Sequence, residues 1–199
     1  MNSYKLPYFL LIPLFLMFYS CQNPVQKNQP TLEQQAEYIA KGKLVSGLSL
    51  KALSKEVMDA LEAGGVKHAV DYCNVHASPL IDSLSKQHKV QISRVSDKYR
   101  NPDNKPGELD LTVLKAYREQ LAAGDELQPH LEVTANDVIF YSPILILNPV
   151  CLNCHGEPGT TAEQGNIDFI KTKYPDDRAV GYKIGDLRGV WKIILSLES

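Results

Sequence analysis

The spacing of apolar residues predicts that the first two thirds of the chain are mainly helical. Apolar positions recur at helical intervals after Thr31–Gln34, whose Thr-x-x-Gln sequence is typical of a capping box. Gly64 and Gly65 interrupt this pattern, so we expect a break there, and Gly124 is expected to end a later helix. The predicted helical segments are residues 31–61, 66–87 and 109–123.

The last third has the patterns of strands. Residues 90–96 and the segments on either side of an Asn136-Asp137 turn are predicted strands, and residues 161–174 form a short predicted helix. Residues 181–197 are predicted to form a hairpin whose apolar side chains alternate onto one face: Trp191, Ile193, Leu195 and Leu197. Helices followed by antiparallel strands predict a single α+β domain.

The N-terminus differs from the rest of the chain and resembles a bacterial lipoprotein signal. Lys5 precedes an apolar run over residues 8–19, which is too short to span a bilayer, and Ser20 precedes Cys21. We expect residues 1–20 to be removed and Cys21 to be lipidated. The domain organisation is then a polar, proline-bearing tether over residues 21–30 and a single folded domain over residues 31–199. An ordinary signal peptide with an incidental cysteine is the alternative.

Charge excludes one large class of function. Removal of residues 1–20 leaves 20 cations against 23 acidic residues, a net charge of −3, and no Lys/Arg-rich run is present. We therefore expect no nucleic-acid partner. An exported chain meets an oxidising compartment, yet three cysteines remain after Cys21, an odd number that a disulfide framework does not explain.

The segment "PVCLNCHGEPG" contains a C-x-x-C-H motif at Cys151, Cys154 and His155, which is typical of c-type haem attachment. The two thiols add across the two haem vinyl groups, and the adjacent imidazole binds the iron. Zinc is a weaker interpretation because no fourth ligand pattern follows. A thioredoxin-like dithiol lacks its βαβ context, and a chance motif is the remaining alternative. The sequence thus predicts one covalent haem c.

The second axial ligand is less clear from the residues. None of the 44 residues after His155 is methionine or histidine, and a four-helix cytochrome that uses Met58 does not fit the predicted strands. Cys73 lies near the middle of an apolar stripe on its helix. Such a cysteine is often only a buried core residue. His76, at the edge of the stripe, and His130 are competing candidates.

Four ordered motifs then suggest a family: "AGGVKHAVDYCNVHA", "RVSDKYRNPDNKPGELD", "YSPILILNPVCLNCHG" and "GYKIGDLRGVWKI". From about Leu32 onward the chain resembles a family of exported c-type haem domains, catalogued as a domain of unknown function and typified by a cyanobacterial (Tll-type) protein. The resemblance implies a PAS-like antiparallel sheet with N-terminal helices. It also implies iron held between His155 and Cys73, with thioether bonds at Cys151 and Cys154.

Two functions fit such a site. A redox or gas sensor would release Cys73 on reduction and bind a diatomic ligand, whereas an electron carrier would pass single electrons between cell-envelope proteins. No kinase, cyclase or chemoreceptor pattern is present, so we expect any signal to pass to a separate envelope partner. No catalytic acid–base pattern indicates an enzyme. We expect a periplasmic location with a lipid anchor, the outer membrane being the expected site.

Arg94 and Arg100 are candidates for contact with the haem propionates, although the loop that contains Arg100 is also explained by its turn-forming residues. Asp186 and Arg188 are interpreted first as turn residues of the predicted hairpin.

Overall fold

The computed structural model describes Met1 and residues 29–197. The predicted signal segment, Cys21 and most of the tether lie outside the described residues. Within the described part of the chain, none of the helices is both long enough and apolar enough to cross a membrane.

The first helix, α1 (Leu32–His88), has two arms that meet at a glycine pair. The Thr31 side chain accepts from the Gln34 backbone N–H, while the Gln34 side chain accepts from the Thr31 N–H, which confirms the predicted capping box. Gly64 and Gly65 leave the helical conformation, and Gly65 has a φ of 73°, which glycine adopts without strain. The Tyr72 hydroxyl of the second arm donates to the Glu56 carboxylate of the first. The predicted break is therefore confirmed, and the two arms pack side by side.

The remaining helices and strands follow the predicted order. They are β1 (Gln91–Val95), α2 (Glu108–Ala123), β2 (His130–Val133), β3 (Asp137–Leu145), α3 (Leu152–His155), α4 (Gln164–Lys173) and β4 (Leu187–Ser196), with 3₁₀ turns at Pro102–Asn104 and Pro149–Cys151.

The strands form one antiparallel sheet in the order β1-β4-β3-β2. This confirms the predicted α+β class and its antiparallel sheet. The predicted hairpin is wrong, because β4 pairs with β1 and β3 and not with the segment before it. Residues 181–186 instead form a turn at the end of β3, where Gly185 N donates to the Ile146 carbonyl at 2.8 Å and Ile146 N donates to the Asp186 carbonyl at 2.9 Å.

Each face of the sheet is covered by a helix. On the α1 side, the apolar core comprises Tyr38, Val45, Leu53, Ile81, Ile92, Val138, Phe140, Trp191, Ile193 and Leu195. On the α2 side, it comprises Val95, Val113, Leu114, Tyr117, Ile139, Tyr141, Leu187 and Val190. The alternation predicted for Trp191, Ile193 and Leu195 is thus correct, although the pairing of their strand is not. The α1 side also carries the C-x-x-C-H segment, through the contacts of α1 with α4 and of α4 with α3.

Candidate haem-attachment site

The C-x-x-C-H segment lies on a short helical turn between β3 and α4. The Asn148 side chain accepts from Val150 N at 2.9 Å, and Pro149 occupies the first position of the 3₁₀ turn that leads into α3. Cys151 and Cys154 are half-buried. Among the described residues no disulfide forms, so these two cysteines and Cys73 are free thiols.

The two thiols of the motif face different apolar clusters. Cys151 packs against the cluster of Ile146, Ala179 and Tyr182. Cys154 packs against a cluster that includes residues of α1 and α4, namely Val70, Ala162, Ile167 and Ile170. The turn therefore spans the gap between α1 and the loop before β4, with one cysteine anchored on each side.

His155 is held in one tautomer. Its Nδ1 lies 2.7 Å from the carbonyl oxygen of Ala179, which can only accept, so Nδ1 carries the proton. The Tyr182 ring meets the imidazole edge-on, with 6.1 Å between ring centroids. Burial, helped by the charges of Arg188 and Arg100, holds the pKa of His155 well below its ordinary value of 6.5. The neutral ring thus has a free Nε2 lone pair, which is the form that binds a metal.

Cys73 lies on the second arm of α1 and is half-buried. It is within electrostatic range of Cys154, Arg94 and Arg100. Burial raises the pKa of the Cys73 thiol, and the Glu56 carboxylate adds to this, whereas the two arginines oppose it. Cys73 also lines a cavity of about 290 Å³ between the two arms of α1. The structure therefore brings Cys73 close to the motif and leaves space beside its side chain.

The competing ligand candidates lie in different surroundings. His76 is exposed, and its ring stacks on Tyr72 with centroids 4.2 Å apart, although it shares the cavity with Cys73. His130 lies on β2 at the far edge of the sheet, where Nε2 is 2.6 Å from a Glu132 carboxylate oxygen. Met58 is also exposed. Of these residues, only His76 shares surroundings with Cys73.

Three half-buried arginines surround the motif. Arg100 donates to the Cys154 carbonyl at 2.6 Å, lies 3.4 Å from His155 Nδ1 and pairs with Asp177 at 3.2 Å. Arg188 lies in β4, where it donates to the Lys98 carbonyl at 3.2 Å, so its assignment to a hairpin turn is wrong. The third, Arg94, is on β1. Asp186 remains a turn residue, since its carboxylate accepts from Lys183 N at 2.7 Å.

Sequence reasoning missed Asp177, Ala179 and the position of Arg188. Asp177 fixes Arg100, and its side chain is fully buried, while the Ala179 carbonyl orients His155. These residues follow the motif by more than twenty positions, and no local pattern marks them. Only the turn around "PDDRA" could have suggested a loop that folds back.

The donor set fits haem better than it fits zinc. Within the described residues, no group of three or more His, Cys, Asp or Glu side chains converges as a metal-ion site. Two separated thiols, an imidazole with a free Nε2 and nearby guanidinium groups are the complement that a haem with two vinyl groups, an iron and two propionates requires.

Comparison with known proteins identifies the family and the fold. The Tll0287-like family matches residues 17–196. The crystal structure of the cyanobacterial heme-protein Tll0287 superposes with a TM-score of 0.59 at 23% identity, covering 85% of this chain and 99% of that one, so the two share a fold. No curated protein matches the chain. With nine tenths of its length matched, the chain belongs to the Tll0287-like family.

Proposed function

We propose that this chain is an exported, lipid-anchored monohaem c-type protein that acts as a redox or gas sensor module. The observation that carries this proposal is the fixed His155 tautomer directly after two free thiols, with Cys73 nearby. Membership of the Tll0287-like family and the shared fold with a cyanobacterial heme-protein support haem as the cofactor.

Each residue of the motif has a separate role. The Cys151 and Cys154 thiols would hold haem through two C–S bonds to its vinyl groups, a simple addition in which each S–H hydrogen is retained by the product. His155 offers Nε2 to the iron, while its Nδ1–H bond to Ala179 prevents rotation of the ring. Arg100 fixes the Cys154 carbonyl and thereby the turn that sets the spacing of the two thiols.

Cys73 would hold the haem iron together with His155. When bound, haem contributes one-electron redox chemistry and an iron position at which ligands exchange. The cavity beside Cys73 gives its side chain space to move away, or gives a diatomic molecule space to enter. This local space favours sensing, because sensing requires exchange of the second ligand.

Electron transfer between envelope proteins is the second candidate. Leu147 and Ile184 are 71% and 50% exposed. Leu147 follows Ile146, and Ile146 forms hydrogen bonds with the 181–186 turn, which contains Ile184. Ile146 packs with Cys151, and exposed apolar side chains on the segments that adjoin it suit brief docking of a redox partner.

Potentiometric titration with and without carbon monoxide tests the sensor function. We expect the ferrous protein to bind carbon monoxide readily and the midpoint potential to rise in its presence, since Cys73 leaves on reduction. A site that stays six-coordinate in both oxidation states would instead support electron transfer. The Cys73→Ala variant should lose the thiolate-type bands of the ferric spectrum, while His76→Ala, its neighbour one turn away, should keep them. A ferric spectrum that Cys73→Ala leaves unchanged and His76→Ala alters would assign the ligand to His76.

The location is a proposal that rests on residues outside the described structure. We propose lipidation at Cys21 and an anchor on the periplasmic side of the outer membrane, from which the domain reaches an envelope redox or signalling partner. A Cys21→Ser variant should move the protein from the membrane fraction to the soluble periplasmic fraction and remove the mass of the acyl chains. Unchanged fractionation and mass would contradict the anchor.

A further inference from the structure

Arg94 is a charged side chain near the Cys73 thiol and the Tyr174 hydroxyl, but it pairs with no carboxylate of the described residues. It forms no hydrogen bond or ion pair with them, although burial is large enough to lower its pKa. It follows Ile92 by two positions on β1 and therefore lies on the same face of the sheet as the α1-side core. A guanidinium in such a place is costly unless something anionic joins it.

The strand neighbour of Arg94 has an unmet donor as well. Arg94 lies opposite Trp191 in the β1–β4 pairing. The indole Nε1 of Trp191 is buried and has no acceptor among the described residues. Buried donors normally have partners, so an unmet indole donor opposite a half-buried, unpaired guanidinium indicates that an acceptor is supplied from outside the chain.

Arg188 and Arg100 extend this cationic group toward His155. The Arg188 guanidinium lies 5.6 Å from the centre of the Tyr182 ring, which itself contacts the His155 ring. Arg100 lies 3.4 Å from His155 Nδ1. Among the described residues, Asp177 is the one carboxylate that pairs with any of the three arginines. These four groups, three guanidinium groups and one carboxylate, carry an excess of two positive charges.

We propose that Arg94 and Arg188 bind the two propionate carboxylates of the haem attached at Cys151 and Cys154. This inference rests on the proposed function and adds positioning residues to it. Two carboxylates match the excess of two positive charges, and guanidinium groups bind carboxylates with two parallel hydrogen bonds. Arg100 is already occupied by Asp177 and the Cys154 carbonyl, so it remains a support of the turn.

Resonance Raman spectroscopy of the holoprotein tests this directly, since the propionate-bending band reports hydrogen bonds to the propionates. We expect Arg94→Gln to shift that band and to lower the ferrous-to-ferric ratio at a fixed potential about tenfold, which is about 59 mV for one electron. The matched control is Arg118→Gln on α2. It removes the same charge from an exposed ion pair with Asp97 and should leave both readouts unchanged.

Replacement by lysine separates charge from geometry. Arg94→Lys should restore most of the potential and leave the band shifted, because lysine has the charge without the planar fork. A merely structural arginine would not move the band in either variant. If Arg94→Gln accumulates too little holoprotein, Arg94→Lys and Arg188→Lys give the same decision from the band alone.

The outcomes separate the two proposals. If the wild-type protein carries haem and every variant has the same propionate band as the wild type, the role of Arg94 and Arg188 is overturned but the proposed function is kept. A wild-type protein without haem mass, made in cells that mature c-type cytochromes, would overturn both.

Discussion

The two faces of the sheet differ in whether a charged side chain withdrawn from water has partners. On the α2 face, the Asp110 carboxylate accepts from the Tyr141 hydroxyl at 2.7 Å, from Gly107 N at 3.0 Å and from the Lys192 ammonium at 2.8 Å. On the α1 face, Arg94 has no such partner within the described chain. Asp110 is buried and Arg94 is half-buried, but only Asp110 has an oppositely charged partner among the described residues.

This difference separates a structural charge from a binding charge. A buried ion with a complete set of partners stabilises one arrangement of the chain, and its loss is felt in folding. A buried ion without partners costs stability and is retained where a ligand completes it. The Asp110 charge on the α2 face is therefore structural, whereas the Arg94 charge on the α1 face needs a ligand to complete its contacts.

The largest effect is expected at Asp177, the carboxylate that pairs with Arg100 beside the motif. Asp177→Asn removes the counter-charge of Arg100, whose side chain is only 15% exposed, while the amide oxygen can still accept from Ala179 N. We expect the free energy of unfolding to fall by about 3 kcal/mol in urea denaturation. The neighbouring exposed Asp176→Asn serves as the control and should change it by under about 0.5 kcal/mol. Equal changes in the free energy of unfolding for the two variants would contradict a stabilising role for the Arg100–Asp177 pair.

A slightly smaller loss is expected on the α2 face. Asp110→Asn leaves Lys192 without its carboxylate and weakens the Tyr141 bond, so we expect a loss of about 2 kcal/mol. Glu119→Gln, which breaks the exposed pair with Lys115, should cost less than about 0.5 kcal/mol. Urea denaturation of both variants at neutral pH measures the difference, and a loss at Asp110 no greater than at Glu119 would contradict a structural role for this charge.

The contribution of Asp110 should disappear in acid. Burial alone would raise the pKa of Asp110, but the hydrogen bonds from Lys192, Tyr141 and Gly107 outweigh it and lower the pKa below the ordinary 3.8. Since the folded pKa is the lower one, the stabilisation is complete above the unfolded pKa and is lost as pH falls through the folded pKa. The stability gap between wild type and Asp110→Asn should therefore close at low pH. A gap that stays constant below pH 3.8 would show that the carboxylate charge is not its source.

The smallest effect has the opposite sign and sharpens the comparison most. Arg94→Met in the haem-free chain removes an uncompensated buried charge, so the free energy of unfolding should rise by about 1 kcal/mol. The same substitution in the holoprotein should lower it, because the propionate contacts are lost. Thermal unfolding of both forms measures the two signs. A loss of stability in the haem-free chain would mean that Arg94 has a structural partner.

Local sequence signals predicted local structure well. The capping box at Thr31 and Gln34, the break at Gly64 and Gly65 and the left-handed Gly124 after α2 all act within a few residues, so the sequence displays them directly. The alternation along β4 likewise identified its buried face.

Partners distant in sequence could not be predicted in the same way. Alternation reveals the faces of β4 but not its neighbours, which are β1, about a hundred residues away, and β3, about fifty residues away. A hairpin was the shortest connection available and was wrong. The site shows the same limit. The motif identified Cys151, Cys154 and His155 directly. Ala179 and Asp177 reach the motif through the path of the loop before β4, and Arg188 lies in β4 itself. The placement of Cys73 near Cys154 also required the arm of α1 to fold against α4.

The most direct test of the account is the mass of the mature polypeptide made in cells with working cytochrome-c maturation. The account predicts a coloured protein whose denatured mass exceeds that of the polypeptide, with its acyl chains, by one haem. In Cys151→Ala/Cys154→Ala this added mass should be absent. A colourless wild-type protein without added haem mass would contradict the central claim.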